Sequence, residues 1–329
     1  MAKKKTRPRT SGRHSTGGST GTAGVAMSRG AALADEALRL QEQALRDRNR
    51  AIRRAGRPAV LRAAATTASA RAIAAAGTPS PLGVLLAEGD SWFDYPFNDV
   101  LKRLKREHGY DVESVAHMGD TVEDMAYSVR QSERFVDALD KLVRAGRIPR
   151  AILLSGGGND IAGDEFHMLL DHAASPAPGL NADVVRGIVE TRVRYAYITL
   201  VSAITRLCRQ RTGAAIPILI HGYDRAVPDG RGFFIGPFPG PWLKPGFDRK
   251  GFGRDLEPRK AMVGALIQTF NRMIAGVARL PEFEHVRYVN LLGTLSNGAD
   301  YRQWWADELH PTARGFSAVA ARFAEAIER

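Results

Sequence analysis

Short, almost wholly apolar runs recur along the chain from residue 83 onwards. Each has the length of a buried β-strand, and runs that are apolar on both faces are typical of parallel strands covered on both sides. The five predicted strands are Gly83–Glu88, Val112–Ala116, Arg150–Ser155, Ile216–His221 and Val286–Asn290.

Between these runs, apolar residues recur at the three- and four-residue spacing of an amphipathic helix. The predicted helices lie near Phe97–Glu107, Val122–Ala145, Val184–Arg211, Arg259–Leu280 and Thr312–Glu328. Alternating strands and helices indicate an α/β fold in which a central parallel sheet lies between helical layers. In such sheets, ligand sites form beyond the carboxyl ends of the strands.

Residues 225–257 interrupt the alternation with a long segment rich in glycine, proline and aromatic residues. Its aromatic residues are Phe233, Phe234, Phe238, Trp242, Phe247 and Phe252. A loop of this length inside a compact domain is usually functional or mobile. We expect it to cap a pocket and supply an apolar wall that binds an acyl or aromatic group. The alternative is a surface loop whose aromatic residues only anchor it to the body.

The first 76 residues follow neither pattern. Residues 1–29 are rich in Lys, Arg, Ser, Thr and Gly and poor in apolar residues, so we expect them to be disordered. Residues 30–76 are rich in Ala, Arg and Leu with a loose apolar stripe, which predicts two helices separated at Pro58. Residues 77–329 then form the main domain.

The excess positive charge lies in this extension. The chain has 47 Lys and Arg against 35 Asp and Glu, and residues 1–76 hold 16 of the basic residues and 4 of the acidic ones. The extension is either a solvated helical hairpin packed on the body, or an arm that docks on an anionic partner such as nucleic acid, a membrane surface or an acidic protein. It contains no aromatic residues, which disfavours a base-stacking surface.

Cellular location is suggested by what the sequence lacks. The single cysteine, Cys208, excludes an internal disulfide framework and fits a reducing compartment. The basic N-terminus has no apolar core of a signal peptide, and we find no apolar stretch near the roughly 18 residues of a membrane span. We therefore expect a soluble, cytoplasmic protein with no transmembrane segment.

Ser91 follows the first predicted strand in the sequence Gly89-Asp90-Ser91. A hydroxyl at that point can cap a helix, make a turn or act as a nucleophile, and the residue alone does not decide between these roles. Asp307 and His310 precede the last predicted helix, and an Asp three residues before a His can orient one ring nitrogen and leave the other free as a base. The alternative there is a helix-capping Asp beside an exposed His.

Two glycine-containing segments follow the second and third strands. Gly156-Gly157-Gly158-Asn159 allows close approach of the backbone to a ligand, and the Asn159 amide can donate to an oxyanion. The alternative is a simple glycine turn; a phosphate loop is disfavoured because its lysine and glycine spacing are absent. Gly119, after the second strand, can offer its N–H at no steric cost, although alone it is a weak signal.

Taken in chain order, the four segments that contain Ser91, Gly119, Asn159 and His310 resemble the motifs of the SGNH (GDSL-like) hydrolase family. The resemblance extends from about Leu82 to the C-terminus. The resemblance implies a flavodoxin-like three-layer α/β/α sandwich, preceded here by the basic extension. It implies that Ser91 is the nucleophile, His310 its general base and Asp307 the residue that orients His310. It also implies that the Ser91 N–H, the Gly119 N–H and the Asn159 side chain stabilise the oxyanion.

These segments depart from the common family pattern at two positions. Trp92 stands where the family usually has an aliphatic residue, and His117 stands where many members have Asn. Neither change removes a catalytic group. Asp90 and Asp160 are expected to fix loops through backbone amides, and His221 to be structural. The candidate substrate-pocket residues are Trp92, Asp94, Tyr95, Tyr223, Phe233 and Phe234.

These features predict a serine hydrolase that cleaves a small-molecule carboxylic ester, with a short acyl chain or an acetylated sugar as the substrate. A lysophospholipase and a thioesterase are the nearest alternatives, since the same residues would serve both. A protein that mainly binds an anionic partner through its basic arm is the alternative from another class. We expect no cofactor and no metal, because no cluster has the spacing of metal ligands.

Overall fold

Five strands form one wholly parallel sheet. They are β1 (Val84–Glu88), β2 (Asp111–Ser114), β3 (Ala151–Leu154), β4 (Ile218–His221) and β5 (Val286–Val289). Their order across the sheet is β2-β1-β3-β4-β5, which is the flavodoxin-like order. The computed structural model from which this is taken describes residues 17–54, 82–233 and 240–329.

Helices cover both faces of the sheet. They are α1 (Gly17–Arg54), α2 (Val100–His108), α3 (Val122–Tyr127), α4 (Val129–Arg144), α5 (Arg194–Thr212), α6 (Lys244–Arg249), α7 (Leu256–Ala278) and α8 (Ala313–Glu328). Helices α2 and α8 pack together on one face, and α3, α4, α5 and α7 lie on the other. The predicted three-layer α/β/α sandwich is therefore confirmed.

Helix α5 has an irregular approach. A single α-helical turn, Ala182–Val185, and a π-helical segment, Arg186–Val193, precede it without a break. A short antiparallel pair, Leu170–Asp171 with Gly179–Leu180, lies just before them. These pieces connect β3 to α5, so the crossover is longer than the single predicted helix.

Helix α7 is a core helix. It is the one helix in the described ranges that is long and apolar enough, by length and composition, to cross a membrane. More than half of its apolar stretch, 56%, is buried inside the protein, and the helix packs on β4, β5 and α5. Its buried Phe270 and Ile274 belong to the main hydrophobic core, which accounts for the apolar composition.

The N-terminal extension differs from the prediction. Residues 17–29 were expected to be disordered, yet they form the first part of α1, which packs against α4 and α5. Ala23, Ala26, Ala34 and Ala37 are buried there, because small side chains let two helices approach closely. The expected break at Pro58, and the whole of residues 1–16 and 55–81, lie outside the described residues.

The close approach centres on Gly30. A Cβ atom at this position would lie 2.2 Å from the carbonyl oxygen of Thr199 on α5. Two hydroxyl groups of α5 form hydrogen bonds with the backbone of α1 at this point. Thr199 donates to the carbonyl of Ala26 at 3.2 Å, and Ser202 donates to the carbonyl of Met27 at 2.8 Å. Helix α1 is thus docked by backbone contacts as well as by apolar burial.

Candidate active site

Ser91 lies in the turn that follows β1. The preceding Asp90 shapes this turn, since its carboxylate accepts the N–H of Trp92 at 3.0 Å and its carbonyl accepts the N–H of Phe93 at 3.0 Å. Ser91 is only 7% exposed, and its Oγ lies 2.8 Å from Nε2 of His310. Ser91, in the turn after β1, and His310, near the C-terminus, therefore lie within hydrogen-bonding distance of each other.

Asp307 fixes the opposite side of the His310 ring. Nδ1 of His310 lies 2.9 Å from Oδ1 and 3.0 Å from Oδ2 of Asp307. Because an ionised carboxylate only accepts hydrogen bonds, Nδ1 carries the proton and Nε2 is left as an acceptor facing Ser91. Thr312, whose side chain accepts the N–H of Gly315, caps α8 immediately after this loop.

The Asp307 carboxylate is held in its charged form. Burial raises the pKa of Asp307, but hydrogen bonds from His310, from the backbone N–H of Leu309 and from Tyr95 bring it below its ordinary value. The Tyr95 hydroxyl donates to Oδ2 at 2.8 Å. Burial, with Asp307 beside it, raises the pKa of Tyr95 far above the usual range, so its hydroxyl stays protonated and remains a donor.

The three candidate oxyanion donors differ in their surroundings. Asn159 donates one amide hydrogen to the carbonyl of Asp120 at 2.9 Å, and its second has no partner in the described ranges. Gly119 has a positive φ of 93°, a conformation that glycine adopts freely. Across residues 82–233 and 240–329, the backbone N–H groups of Ser91 and Gly119 donate to no protein acceptor. Asn159 and Ser91 line one cavity, and Gly119 lies outside its lining.

That cavity is mainly apolar, with a volume of about 50 Å³. Ser91, Asn159 and His310 form its polar end. Its apolar walls come from the turn after β1, the loop after β3, the loop after β4, helix α7 and the segment before His310, through Trp92, Ile161, Ala162, Ala226, Leu243, Val263, Leu266, Ile267, Trp305 and Leu309. An acyl group whose carbonyl carbon lies at Ser91 would extend its chain into this apolar space.

Two of the six expected pocket residues, Trp92 and Tyr223, line the cavity. Trp92 donates from Nε1 to the carbonyl of Leu309 at 3.2 Å, and so ties the Ser91 turn to the His310 loop. Tyr223 donates towards Oδ2 of Asp90 at 3.0 Å and the carbonyl of Gly156 at 2.9 Å. Both residues support the loops as well as forming a wall.

The other expected pocket residues are corrected by the structure. Asp94 accepts the N–H of Met118 at 3.2 Å and so supports the Gly119 loop instead of lining the cavity. Tyr95 lies behind His310, with the two rings stacked at 4.1 Å. Phe233 packs edge-on against Tyr95 at 5.3 Å, because that ring offers it a buried surface. Phe234 lies outside the described residues. The wall is therefore mostly aliphatic, and none of the described aromatic residues of the 225–257 loop, Phe233, Trp242, Phe247 and Phe252, lines it.

A buried network lies beneath the Ser91 turn. Ser155 Oγ is 2.6 Å from Oδ1 of Asp90, and Nε2 of His221 is 2.9 Å from Ser155 Oγ. The other ring nitrogen of His221 donates to the carbonyl of Gly222 at 2.7 Å, and burial lowers the pKa of His221. His221 is thus a structural histidine, as expected, and not a second base at Ser91.

Asp160 also supports a loop, as expected. Its Oδ2 accepts the N–H of Val122 at 2.9 Å, at the start of α3. Burial raises the pKa of Asp160 to about 6, against the opposing effect of the backbone N–H donors. The loop that carries Asn159 is therefore joined to the start of α3.

Several residues at the site were not identified from the sequence. Leu243, Trp305 and the α7 residues Val263 and Leu266 line the cavity, and Glu308 is wholly buried between Asp307 and His310. Helical spacing does predict that the α7 residues are buried, but it does not say what they face. Among the described residues, no group of three or more His, Cys, Asp or Glu side chains is arranged to hold a metal ion.

Several solved structures are similar to this chain over most of their own length. A protein from Parabacteroides merdae described as a GDSL-like lipase is 15% identical, with 76% of this chain and 98% of that chain covered at a TM-score of 0.42. A lipase from a goat rumen metagenome is 14% identical, with 74% and 97% covered at 0.45. Est24, a carbohydrate acetylesterase from Sinorhizobium meliloti, is 14% identical, with 75% and 98% covered at 0.41.

No curated protein sequence matches the chain. The family comparison is more informative, because it covers most of the sequence. Residues 75–318 match the sequence profile of the GDSL-like Lipase/Acylhydrolase family, and this range contains Ser91, Asn159 and His310. The protein therefore belongs to the GDSL-like lipase/acylhydrolase family.

Proposed function

We propose that the protein is a serine ester hydrolase that removes a short acyl group from a small-molecule ester, with Ser91, His310 and Asp307 as its catalytic triad. The observation that carries the proposal is the unbroken hydrogen-bonded chain from Ser91 through His310 to Asp307 at the polar end of an apolar cavity. This geometry matches the nucleophile, base and orienting carboxylate of acyl-transfer enzymes.

In the first half-reaction, Nε2 of His310 takes the proton of Ser91 Oγ as that oxygen bonds to the ester carbonyl carbon. The resulting imidazolium is stabilised by Asp307, whose pKa is lowered by its donors. The tetrahedral intermediate then collapses, the bond from carbon to the alcohol oxygen breaks, and His310 returns the proton to the departing alcohol. The product of this step is an acyl group on Ser91.

In the second half-reaction, water attacks the acyl carbon while His310 takes a proton from it. The tetrahedral intermediate releases the carboxylic acid, and Ser91 Oγ recovers its proton from His310. In both halves, the negative oxygen accepts hydrogen bonds from the Ser91 N–H, the Gly119 N–H and the Asn159 amide. Removing one donor of this kind raises the barrier by about 3–4 kcal/mol.

The acyl cavity supports a short chain. Its volume is about 50 Å³, several times the roughly 10–15 Å³ that a cavity needs to hold one water molecule. An acetyl or propionyl group is of this size, and a long fatty acyl chain is much larger. This difference disfavours the lysophospholipase alternative; a thioesterase for short acyl groups would use the same residues and the same cavity.

The proposal is tested with a series of p-nitrophenyl esters from acetate to decanoate, assayed with the parent, Ser91→Ala and His310→Ala. We expect the parent to prefer acetate, and both variants to lose at least about a thousandfold in rate. Ser317→Ala on α8 is the matched serine control and should keep the parent rate. Folded Ser91→Ala and His310→Ala variants that hydrolyse these esters as fast as the parent would refute the proposal.

We also propose that the basic extension binds an anionic partner. Support comes from the second half of α1, where six arginines and two acidic residues lie between Arg39 and Arg54. Most of the side chains from Glu42 to Arg53 are exposed, so this positive charge is available to a phosphate-bearing surface.

A further inference from the structure

Glu308 is a fully buried carboxylate with an unusual set of partners. In the sequence it directly follows Asp307 and precedes His310 by two residues, and its side chain has no exposed surface. Its Oε1 accepts the backbone N–H groups of Gly230 at 2.9 Å and Lys244 at 3.0 Å. Its Oε2 accepts those of Trp242 and Leu243, each at 2.7 Å. Four backbone donors, from the loop after β4 and the first residue of α6, therefore converge on one side chain.

This arrangement cannot be explained by pairing of opposite charges. In the part of the chain that the structure describes, no Lys, Arg or His forms an ion pair with Glu308. Charge-assisted hydrogen bonds to backbone N–H groups are strong, and a buried carboxylate that loses them carries a large desolvation penalty. The positions of Glu308 and of the donor segment are thus strongly coupled.

A second set of contacts joins the same two segments. The N–H of Glu308 donates to the carbonyl of Arg231 at 3.2 Å. The Arg231 guanidinium donates in turn to the carbonyls of Trp305 at 2.8 Å and Ala306 at 3.0 Å. Hydrogen bonds therefore run in both directions between the segment that carries His310 and the loop after β4. The buried Glu308 takes part in most of them.

The anchored residues are those that touch the site. The Trp242 ring packs edge-on against the His310 ring, with centroids 5.2 Å apart. Leu243, which is 4% exposed, forms part of the cavity wall. Both have backbone N–H groups bound to Oε2 of Glu308, so a shift of this carboxylate would move the wall and the ring together.

We propose that Glu308 is a positioning residue that sets the outer wall of the acyl cavity and thereby its selectivity for short acyl groups. The inference rests on the proposed ester hydrolysis, because selectivity is measured with acyl esters. The Glu308 side chain forms no hydrogen bond with Ser91 or with the ring of His310; it acts through Leu243 and Trp242. A purely structural residue would change stability and leave acyl-chain selectivity as it is.

The test variant is Glu308→Gln. Glutamine has the same shape, but its amide nitrogen would face two N–H donors, so half of the anchor is lost. We expect kcat/KM for p-nitrophenyl acetate to fall about tenfold, as for the loss of one or two hydrogen bonds to a charged group. We expect hexanoate to be affected less, because a looser wall admits a longer chain, so the ratio of acetate to hexanoate should fall about fivefold or more.

Two variants calibrate this result. Leu243→Ala enlarges the cavity at the same wall without breaking the anchor, and it should lower the acetate-to-hexanoate ratio. Asp99→Asn alters another buried carboxylate, which accepts a backbone N–H at the start of α2. It should lower the melting temperature and leave the ratio unchanged.

A readout independent of activity is amide hydrogen exchange. In the parent, the N–H groups of Trp242, Leu243 and Lys244 should exchange slowly, and Glu308→Gln should speed their exchange selectively. If Glu308→Gln does not fold, Glu308→Asp retains the charge with a shorter reach and should shift the ratio in the same direction.

Two outcomes contradict the inference: fast exchange of these amides in the parent, or an acetate-to-hexanoate ratio that the Glu308 variants leave unchanged while Leu243→Ala shifts it. The failure of the proposed function would look different. In that case the parent would hydrolyse no ester at all, while the exchange experiment would still report on the anchor.

Discussion

At the scale of single residues, Tyr95 shows how a side chain can matter without contacting the substrate cavity. Its ring stacks on His310 and its hydroxyl donates to Asp307. The hydroxyl thus helps to fix the carboxylate that orients His310, which makes Tyr95 a positioning residue of the proposed triad.

We expect Tyr95→Phe to lower kcat about tenfold with little change in KM, because one hydrogen bond to a buried charged group is lost while the ring stays in place. Steady-state kinetics with p-nitrophenyl acetate measures this. Tyr127→Phe, at an exposed position, is the matched control. A folded Tyr95→Phe variant with the parent kcat would show that Asp307 needs no help from this hydroxyl.

Glu88, at the end of β1, is a residue whose titration affects stability. It is 2% exposed, and burial raises its pKa from 4.5 to about 8, with Arg134 opposing the rise. The unfolded chain releases this proton near pH 4.5, whereas the folded chain keeps it until about pH 8. The free energy of unfolding therefore falls by a few kcal/mol, on the order of 1.4 kcal/mol per pH unit, as the pH rises through this window.

Glu88→Gln removes this titration while keeping an oxygen that can accept the N–H of Gly89. We expect the variant to match the parent at about pH 4 and to be more stable above about pH 8, because only the parent has lost stability there. Melting temperatures across this range measure the difference. Glu284→Gln, at an exposed position, is the control. A stability difference between Glu88→Gln and the parent that stays constant with pH would contradict the assigned cause.

Residue-level prediction from the sequence was strongest where topology dictates position. Ser91 and Asn159 each follow a strand, and parallel strands place such residues at one edge of the sheet. Leu243 and Glu308 illustrate the opposite case. Their importance arises from contacts between a loop after β4 and a segment 65 residues later in sequence, and no local pattern encodes such a pairing.

At the scale of elements, the five predicted strands are present with ends shifted by a few residues, but the predicted helix Val122–Ala145 is divided at Ser128 into α3 and α4. Strand β1, for example, is Val84–Glu88 where Gly83–Glu88 was expected. Prediction failed for residues 17–29, the first part of α1, because their helix-forming alanines are mixed with glycines in a low-hydropathy segment; the rest of α1 lies where a helix was expected. Its apolar face is small, and it becomes stable only by close packing on α5.

This packing yields a prediction at Gly30. Gly30→Ala would place a Cβ 2.2 Å from the Thr199 carbonyl oxygen, so we expect it to destabilise the protein by about 1–3 kcal/mol. Gly24→Ala is the matched control on the same helix, where a Cβ meets nothing within 4 Å. It should instead stabilise the helix by about 0.5–1 kcal/mol.

Denaturant unfolding followed by circular dichroism compares the two alanine variants directly. Opposite signs for Gly30→Ala and Gly24→Ala would support the docking of α1 on α5. Equal stabilisation by both would show that α1 does not pack against α5 at this point.

At the scale of the whole molecule, the exposed arginines Arg46, Arg48 and Arg50 of α1 lie outside the lining of the candidate cavity. We expect a variant with Arg46, Arg48 and Arg50 all changed to Gln to bind double-stranded DNA or anionic vesicles more weakly than the parent does. The affinity of the parent should fall steeply with salt, because binding releases counterions. Titrations at several salt concentrations, with either probe, measure both effects.

The control carries three exposed arginines of the main domain, Arg106, Arg249 and Arg322, changed to Gln. It alters the net charge by the same amount but leaves α1 intact. If both triple variants lose affinity equally, the effect is one of total charge and the proposed role of the extension fails. A parent that binds neither probe at low salt would also contradict it.

The central claim is that Ser91 is an activated nucleophile, and covalent labelling with a fluorophosphonate tests it most directly. Intact mass spectrometry of the labelled parent should show a single adduct, and the folded Ser91→Ala variant should show none. An adduct that persists in Ser91→Ala, or a folded parent that remains unlabelled, would contradict the claim.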